Sequence, residues 1–221
     1  MKRLGMVALA ALLLPATTVA QGQKQPSAIV EDVTEGIPGV APMDYLVPGK
    51  IVQLGANGKL VLGYLQSCTR ETIVGGRVVI GAEKSESRDA KIGREKVECD
   101  GGRMRLTADQ SAKSGVMVFR GKPGQLPDPQ LTIYGLSPIV TLAGGGDVVI
   151  ERLDKSGERI AFTVPEKALT RAPFVDLAKN DRELTAGGLY RATAGKSSVV
   201  FKVDPLAKPG QGPLVGRLVR L

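Results

Sequence analysis

The sequence predicts an all-β protein made of two small β domains, and three observations support this. Among its 221 residues, 28 are glycine and 14 are proline, whereas only 4% are aromatic. Short bursts of valine, isoleucine and leucine alternate with Gly, Asp, Asn and Lys, which is typical of short strands joined by tight turns. Helical periodicity is scarce along the chain.

The first twenty residues have the features of a signal peptide. Lys2 and Arg3 precede an apolar run at residues 4–14, and small residues follow it at Thr18 and Ala20. The run is too short to cross a bilayer as a mature helix. An uncleaved anchor or a buried core helix is the alternative. We expect cleavage after Ala20, a mature chain without a membrane span, and a periplasmic or secreted location.

A first β domain is predicted over residues 21–119, and its first strand covers Ala28–Val33. Two hairpins are expected next. Asn57 and Gly58 separate two apolar runs, and Asn-Gly is a strong signal for a tight hairpin turn; Gly75 and Gly76 separate a second pair. The other predicted features are strands at residues 50–55, 59–65, 71–74, 77–80, 96–99, 103–106 and 116–119, and an exposed polar excursion at residues 84–94.

Residues 120–130 are predicted to be a stiff linker because three prolines and two glycines fall within this stretch. A second β domain is expected over residues 131–221. Its short strands and regular turns match an immunoglobulin-like sandwich, although the Cys-Trp-Cys set of that fold is missing. The expected strands are residues 131–135, 138–142, 148–153, 158–164, 188–192, 197–203 and 214–221, with one helical turn near residues 175–178.

Cys68 and Cys99 are the two cysteines of the chain. In an oxidising compartment an isolated pair predicts a disulfide. Such a bridge would close a loop of about thirty residues and contribute roughly 3 kcal/mol to stability. A redox-active pair is the alternative, but it usually needs the closer C-x-x-C spacing. A metal site is disfavoured because histidine ligands are missing.

The chain contains no histidine. Catalysis by Ser-His-Asp or Cys-His groups, histidine-ligated zinc and histidine acid–base chemistry are therefore excluded. Carboxylate pairs of the kind used by glycosidases are still available. We predict no catalytic residue, no cofactor and no metal. The carboxylates considered for acid–base work are Glu31 with Asp32, Glu95 with Glu98, Asp100 and Glu151.

The formal net charge is +8, of which Lys2 and Arg3 supply two. The basic residues are scattered over many segments, which favours solubility rather than nucleic-acid binding. We therefore expect no nucleic-acid partner. A mild affinity for anionic lipid, lipopolysaccharide or acidic glycan is an alternative use of this charge.

The stretch over residues 28–102 resembles the FecR-type domain, a small exported β module. The likeness rests on AIVEDV, on YLVPGKIVQLGANGKLVLGYL at residues 45–65, and on ETIVGGRVVIG at residues 71–81. Residues 181–203 are similar to the later strands of bacterial Ig-like domains, with Leu184, Gly187, Gly188 and Tyr190 at the characteristic positions. The resemblance implies a binding or scaffolding module without catalytic residues. FecR-type signalling proteins also carry a cytoplasmic domain and a membrane span, neither of which we expect in this chain.

These features predict a non-catalytic periplasmic or cell-envelope protein that recognises a partner protein or an envelope polysaccharide such as peptidoglycan. Loops or an exposed sheet edge would make the contacts. A carboxylate-dependent glycan hydrolase is one alternative, and an inhibitor of an envelope hydrolase, acting through a disulfide-held loop, is another. The candidate binding residues belong to the polar excursion and are Lys84, Glu86, Arg88, Lys91 and Arg94.

Overall fold

A computed structural model describes residues 25–101, 126–166 and 173–221. Within these ranges thirteen strands form three sheets, and the helical segments among them are 3₁₀ turns at Leu177–Asn180 and Leu214–Gly216. The predicted all-β fold is confirmed. The expected signal peptide, the strands at residues 103–106 and 116–119, and residues 120–125 of the expected linker lie outside the described residues.

The first module, as the structure describes it, is a five-stranded antiparallel sheet with the order β2-β1-β3-β4-β5. Its centre is a long ladder between β3 and β4, and β5 lies at one edge. The strands are β1 (Ala28–Val33), β2 (Tyr45–Leu46), β3 (Ile51–Tyr64), β4 (Thr69–Val79) and β5 (Lys91–Lys96).

The two hairpins expected at Asn57-Gly58 and Gly75-Gly76 are wrong. Each pair of short runs is one continuous strand, and β3 pairs with β4 from Ile51 opposite Val79 onward to the far end of the ladder. The glycines instead form an irregularity in mid-ladder. Gly75 and Gly76 have φ of 72° and 68°, conformations that L side chains rarely adopt. Pairing two whole strands buries more apolar surface than two isolated hairpins, so it overrides the local turn signal.

One face of this sheet carries the core of the first module. Side chains from both halves of β3 belong to one buried cluster, so the irregularity in the middle of β3 leaves both halves facing the same core. The buried residues of this cluster are Ala28, Val30, Val40, Leu46, Val52, Leu54, Leu60, Leu62, Tyr64, Ile73, Val78 and Ile80.

The polar excursion expected at residues 84–94 and the strand expected at residues 96–99 need correction. The structure places a strand earlier, at β5, which pairs with β4 from Lys91 opposite Val74 to Lys96 opposite Thr69. The irregular loop is therefore confined to residues 81–90. Sequence polarity suggested a loop throughout because β5 is an edge strand with mostly exposed, charged side chains.

The described strands of the second module form a five-stranded sheet, β6-β12-β11-β8-β9, and a three-stranded sheet, β10-β7-β13. Both sheets supply residues to one core, in which the rings of Tyr190 and Phe201 stack with centroids 5.7 Å apart and Val140 and Val219 pack from the smaller sheet. The strands are β6 (Leu131–Gly135), β7 (Ile139–Thr141), β8 (Gly146–Arg152), β9 (Arg159–Val164), β10 (Phe174–Asp176), β11 (Leu189–Ala194), β12 (Ser197–Lys208) and β13 (Leu218–Arg220).

Two local expectations for the second module are corrected. The helical turn expected near residues 175–178 is displaced, because β10 comes first and the 3₁₀ turn begins at Leu177. The terminal strand expected over residues 214–221 is divided into a 3₁₀ turn, Leu214–Gly216, and the short strand β13. The end of the chain is still docked, since β13 pairs in parallel with β7.

The C-terminal segment joins the two modules. Val215 packs directly on Gly63 of β3, where a side chain would collide with it. A third apolar cluster combines Ile29 and Leu65 of the first module with Ile139, Leu214 and Leu218 of the second. The polar contacts reinforce this packing.

Glu31 forms a charged contact across this junction, and Arg217 fixes the C-terminal segment to the second module. Glu31 is the extra residue of the β1 bulge, and its carboxylate accepts hydrogen bonds from Arg70 Nε (2.7 Å) and from the Leu214 amide (3.0 Å). Arg217 is buried and pairs with Asp176 at 2.9 Å. A bulge commonly redirects a side chain, and here it directs a carboxylate to the other module.

The predicted disulfide is confirmed. Cys68 and Cys99 are bonded, with Cα atoms 5.6 Å apart. The bridge ties the turn between β3 and β4 to the residues that follow β5, and the Val97 amide donates to the Cys68 carbonyl at 3.0 Å beside it. The bridge thus joins the two ends of the segment that contains the loop at residues 81–90.

Removing the bridge should lower stability by about 3 kcal/mol, because the unfolded chain regains the entropy of an open loop. We expect the double variant Cys68→Ser, Cys99→Ser to show this loss in urea unfolding, and the native protein in reductant to match it. A difference below about 1 kcal/mol between oxidised and reduced forms would contradict the structural role of the bridge.

A charged network closes the hairpin between β8 and β9. Arg152 donates to Asp154 at 2.9 Å and to Glu158 at 3.1 Å, and the Tyr190 hydroxyl donates to Glu158 at 2.7 Å. The hydrogen bonds from Arg152 lower the pKa of Asp154 to about 2. Partial burial acts to raise the pKa of Glu158, but hydrogen bonds from Tyr190, Arg152 and Thr185 outweigh it and the pKa is lowered.

This network predicts acid sensitivity. The folded-state pKa of Asp154 lies below its unfolded value, so the ionised carboxylate stabilises the fold. This contribution to stability is complete at pH values above the unfolded pKa, and it is lost as the pH falls towards about 2. Asp154→Asn should cost about 1 kcal/mol at pH 7, because Asp154 is exposed and solvent screens its pair with Arg152, and its loss of stability between about pH 4 and pH 2 should be shallower. Urea titrations across that range test this, and parallel curves for variant and native protein would refute it.

Candidate recognition surface

A fully buried carboxylate anchors the loop at residues 81–90. Glu71 of β4 is 0% exposed. Both of its oxygens accept from the Ser85 amide, at 3.1 and 3.0 Å, and one accepts from Arg94 Nε at 2.7 Å. Arg94 also donates to the Ser85 carbonyl at 2.7 Å. A buried charge without partners is very costly, so these contacts hold the loop in one position.

A second buried contact holds the same point of the loop. The hydroxyls of Tyr64 and Ser85 are hydrogen-bonded at 2.8 Å inside the first module. Burial raises the pKa of Tyr64 to about 12, so the hydroxyl keeps its proton at physiological pH. Ser85 is therefore a buried, fixed residue of the loop, whereas its sequence neighbours Lys84 and Glu86 are exposed.

The second half of the loop is fixed against the end of β4. Glu86 and Val79 exchange two backbone hydrogen bonds, at 2.8 and 2.9 Å. The Ser87 hydroxyl donates to the Arg77 carbonyl at 2.7 Å, and the Arg77 amide donates to Asp89 at 3.1 Å. The Arg77 amide and the Ser87 hydroxyl lower the pKa of Asp89, which stays ionised. The loop is thus well ordered although it has little regular structure.

The structure divides the five predicted binding residues between two elements. Lys84, Glu86 and Arg88 project from the loop, whereas Lys91 and Arg94 belong to β5. All five are exposed, but the guanidinium of Arg94 is held by Glu71 and Ser85. Arg94 is a positioning residue for the loop, and the other four are available for contact. Their role in binding stays a prediction.

Two shallow grooves lie on either side of Asp89, and we call them together the double groove. They measure about 690 and 620 Å³. Three apolar side chains with unusually high exposure lie beside them: Ile51 (44%), Val74 (41%) and Val79 (37%). The first groove is lined by Arg77, Val79, Glu86, Ser87, Arg88 and Asp89, and the second by Gln53, Gly55, Ala56, Asn57, Val74, Gly75, Gly76, Asp89 and Lys91.

Sequence reasoning missed Ile51, Val74, Arg77 and Asp89 as surface residues of interest, and it missed Glu71 as an anchor. The alternation of side chains between the two faces of β4 could have identified Glu71 as buried, because Thr69, Glu71 and Ile73 share one face. A glutamate in phase with core residues indicates a buried charge. The exposed valines and Ile51 could be assigned only once the register of β3 with β4 was known.

The carboxylates considered for acid–base catalysis are mostly engaged in structural contacts. Glu31 and Glu95 both bind Arg70, and Glu151 binds Arg191 at 3.3 Å. Asp32 pairs with Lys59, and Asp100 accepts from the Thr132 amide at 2.9 Å. These contacts assign the carboxylates to the packing of strands and modules.

No family model matches the chain, and neither a curated protein nor a solved structure matches it. Among the described residues, no three or more potential metal-binding side chains come together. In the same ranges, no helix has both the length and the apolar character needed to cross a bilayer.

Truncating the anchor should release the loop. Glu71→Ala leaves Arg94 and the Ser85 amide without their partner, and we expect a loss of about 3 kcal/mol and faster hydrogen exchange at Ser85. Glu95→Ala is the matched control, since it removes an exposed carboxylate from a neighbouring arginine pair and should cost less than about 1 kcal/mol. Equal losses in both variants, with slow exchange at Ser85, would contradict the anchoring role.

Proposed function

We propose that this protein is a non-catalytic binding or scaffolding protein of the periplasm or cell envelope, and that it recognises a partner protein through the double groove. The observation that carries the proposal is the loop at residues 81–90, which exposes charged side chains while the buried Glu71 holds its backbone. A loop that is already ordered loses little entropy on binding, which favours recognition.

The compartment is inferred from two features. The Cys68–Cys99 disulfide is typical of proteins that fold in an oxidising environment. The first twenty residues have the pattern of an export signal. Together they favour the periplasm or the exterior of a bacterial cell over the cytosol.

The family resemblances add support of a different kind. The FecR-type likeness of the first module implies binding rather than catalysis. In the second module, the Tyr190 hydroxyl contacts the Thr185 backbone, accepting from its amide at 2.8 Å and lying 3.3 Å from its carbonyl. A tyrosine bound to the backbone a few residues upstream is the tyrosine corner of Ig-like sandwiches, and it favours an Ig-like assignment.

The chemistry of the double groove fits a protein partner better than a polysaccharide. Basic Arg77 and Arg88, acidic Glu86 and Asp89, and apolar Val79 lie within one groove. Apolar contact next to charges of both signs is typical of protein interfaces. Sugar-binding sites usually supply aromatic rings for stacking, and the lining of these grooves consists of other residue types.

Site-specific photo-cross-linking tests the proposal. A photoreactive residue replacing Arg88 should capture a discrete envelope protein in cells that make this chain, and one replacing Lys155, which lies between β8 and β9 of the second module, should not. Val79→Asp should lower the yield of the Arg88 adduct at least about tenfold, because a buried carboxylate would be introduced into the interface.

Two outcomes would overturn this assignment. Equal adducts from positions 88 and 155 would show unspecific capture. Binding to purified peptidoglycan sacculi that is lost in the Val79→Asp variant, without any protein adduct, would identify an envelope polymer as the ligand instead.

Inhibition of an envelope hydrolase is a second candidate, favoured by one observation. The loop at residues 81–90 is rigid and lies between the two bridged cysteines, as an inhibitory loop would. Stoichiometric inhibition of a lysozyme or protease by the native chain, lost in Glu71→Ala, would support it. Unchanged hydrolase activity at saturating protein would remove it.

A further inference from the structure

A second groove lies where the two modules meet, and we call it the junction groove. It has a volume of about 510 Å³. Val97 and Glu98 of the first module form one wall, and Tyr134 of β6 faces them. The end of β12 and the C-terminal segment complete it with Asp204, Leu206, Ala207, Lys208, Pro209, Gly212, Pro213, Gly216 and Arg217.

An irregularity in β12 shapes the outer wall. Val203 pairs with Ile133, but the next paired residue of β12 is Lys208, opposite Gly135. The intervening residues leave the ladder, and Leu206 becomes 85% exposed. The Leu206 amide donates to Asp204 at 2.7 Å, so this exposed position is held by a local turn. At the rim of the groove, this side chain offers apolar area that a ligand can cover.

Glycines allow the elements around the groove to pack closely. A Cβ at Gly135 would lie 2.6 Å from the side chain of Arg217, and one at Gly216 would meet the Glu98 carbonyl. Arg217 itself is fixed by Asp176 and by the carbonyls of Ser137 and Gly212. The groove is therefore built from rigid elements of both modules.

The charges around Tyr134 are mainly negative. Glu98 and Asp204 line the groove, and Asp100 lies close behind. Partial burial and these three carboxylates raise the pKa of Tyr134. Of the two basic residues that line the groove, Arg217 is already paired with Asp176, and Lys208 belongs to the end of β12. A cationic group entering beside Tyr134 would thus be stabilised.

We propose that the junction groove binds an extended peptide segment of a partner protein in which a lysine or arginine is flanked by apolar residues. The apolar side chains pack on Leu206, Val97 and Pro213, and the cation lies over Tyr134 between Glu98 and Asp204. Two features argue for this occupant: the charge complementarity of the acidic wall, and the exposed leucine that a small polar ligand would leave uncovered. The site is independent of the double groove.

Two capped peptides of equal length test the proposal on the full disulfide-bonded chain. One carries a central leucine–arginine–leucine sequence and the other leucine–glutamate–leucine. The arginine peptide should bind at least about tenfold more tightly, with Tyr134 among the resonances that shift, and this preference should weaken at high salt.

Variants separate the two parts of the site. Glu98→Gln with Asp204→Asn removes charge but keeps an acceptor for the Leu206 amide, and it should abolish the preference for arginine. Leu206→Ser should weaken both peptides about tenfold. Val79→Ser in the double groove is the matched control and should change neither affinity.

Three results would overturn the proposal. Equal affinity for the two peptides, or no saturable binding of either, would show that the acidic wall does not select a cation. Concentration-dependent dimerisation that Leu206→Ser abolishes would identify a second copy of the chain as the occupant. A solution structure in which other residues of this chain fill the groove would exclude an external peptide.

Discussion

The antiparallel pairing of β3 with β4 is the constraint on which the other features depend. At one end of this ladder, Ile51 and Val79 face outward beside the double groove, and at the other end Gly63 accepts the side chain of Val215. Glu71 lies opposite Leu62 and faces the core. A shift of one residue in the register would turn Glu71 to the surface and place apolar residues on the wrong face. One register therefore fixes the loop, the exposed surface and the junction together.

Buried charges in this protein hold segments in place rather than adding much stability. Glu31, Glu71 and Asp176 each contact an arginine. A well-packed apolar replacement of such pairs is often neutral for stability, so their presence calls for a positional explanation. Each pair fixes a segment that sheet hydrogen bonds leave unsupported: Glu71 fixes the loop after β4, and the other two fix the C-terminal segment. Arginine suits this role because its planar group can bind several acceptors at once.

Sequence patterns predicted the parts of the structure that depend on local order or on composition. The all-β class, the strands expected at residues 148–153 and 158–164, which correspond to β8 and β9, and the Cys68–Cys99 bridge are confirmed. The turn assigned to Asn57-Gly58 is wrong because a local preference of about 1 kcal/mol competes with the pairing of two long strands. The alternation of β4 indicates that Glu71 is buried, but neither its partners nor the junction could be found in the same way. Their contacts join residues far apart in sequence, as between Glu31 and Leu214, and depend on the folded register.

The junction also determines what kind of binding the molecule can support. The wall of the junction groove at Glu98 belongs to one module and the wall at Leu206 to the other, so the groove exists only while the modules keep their relative position. That position is fixed by Val215 on Gly63 and by the contact of Glu31 with the C-terminal segment. The two proposed binding surfaces therefore keep a fixed spacing, so that binding two segments would cost little entropy. The proposed scaffold role requires such fixed spacing, and the contacts of the C-terminal segment with the first module supply it.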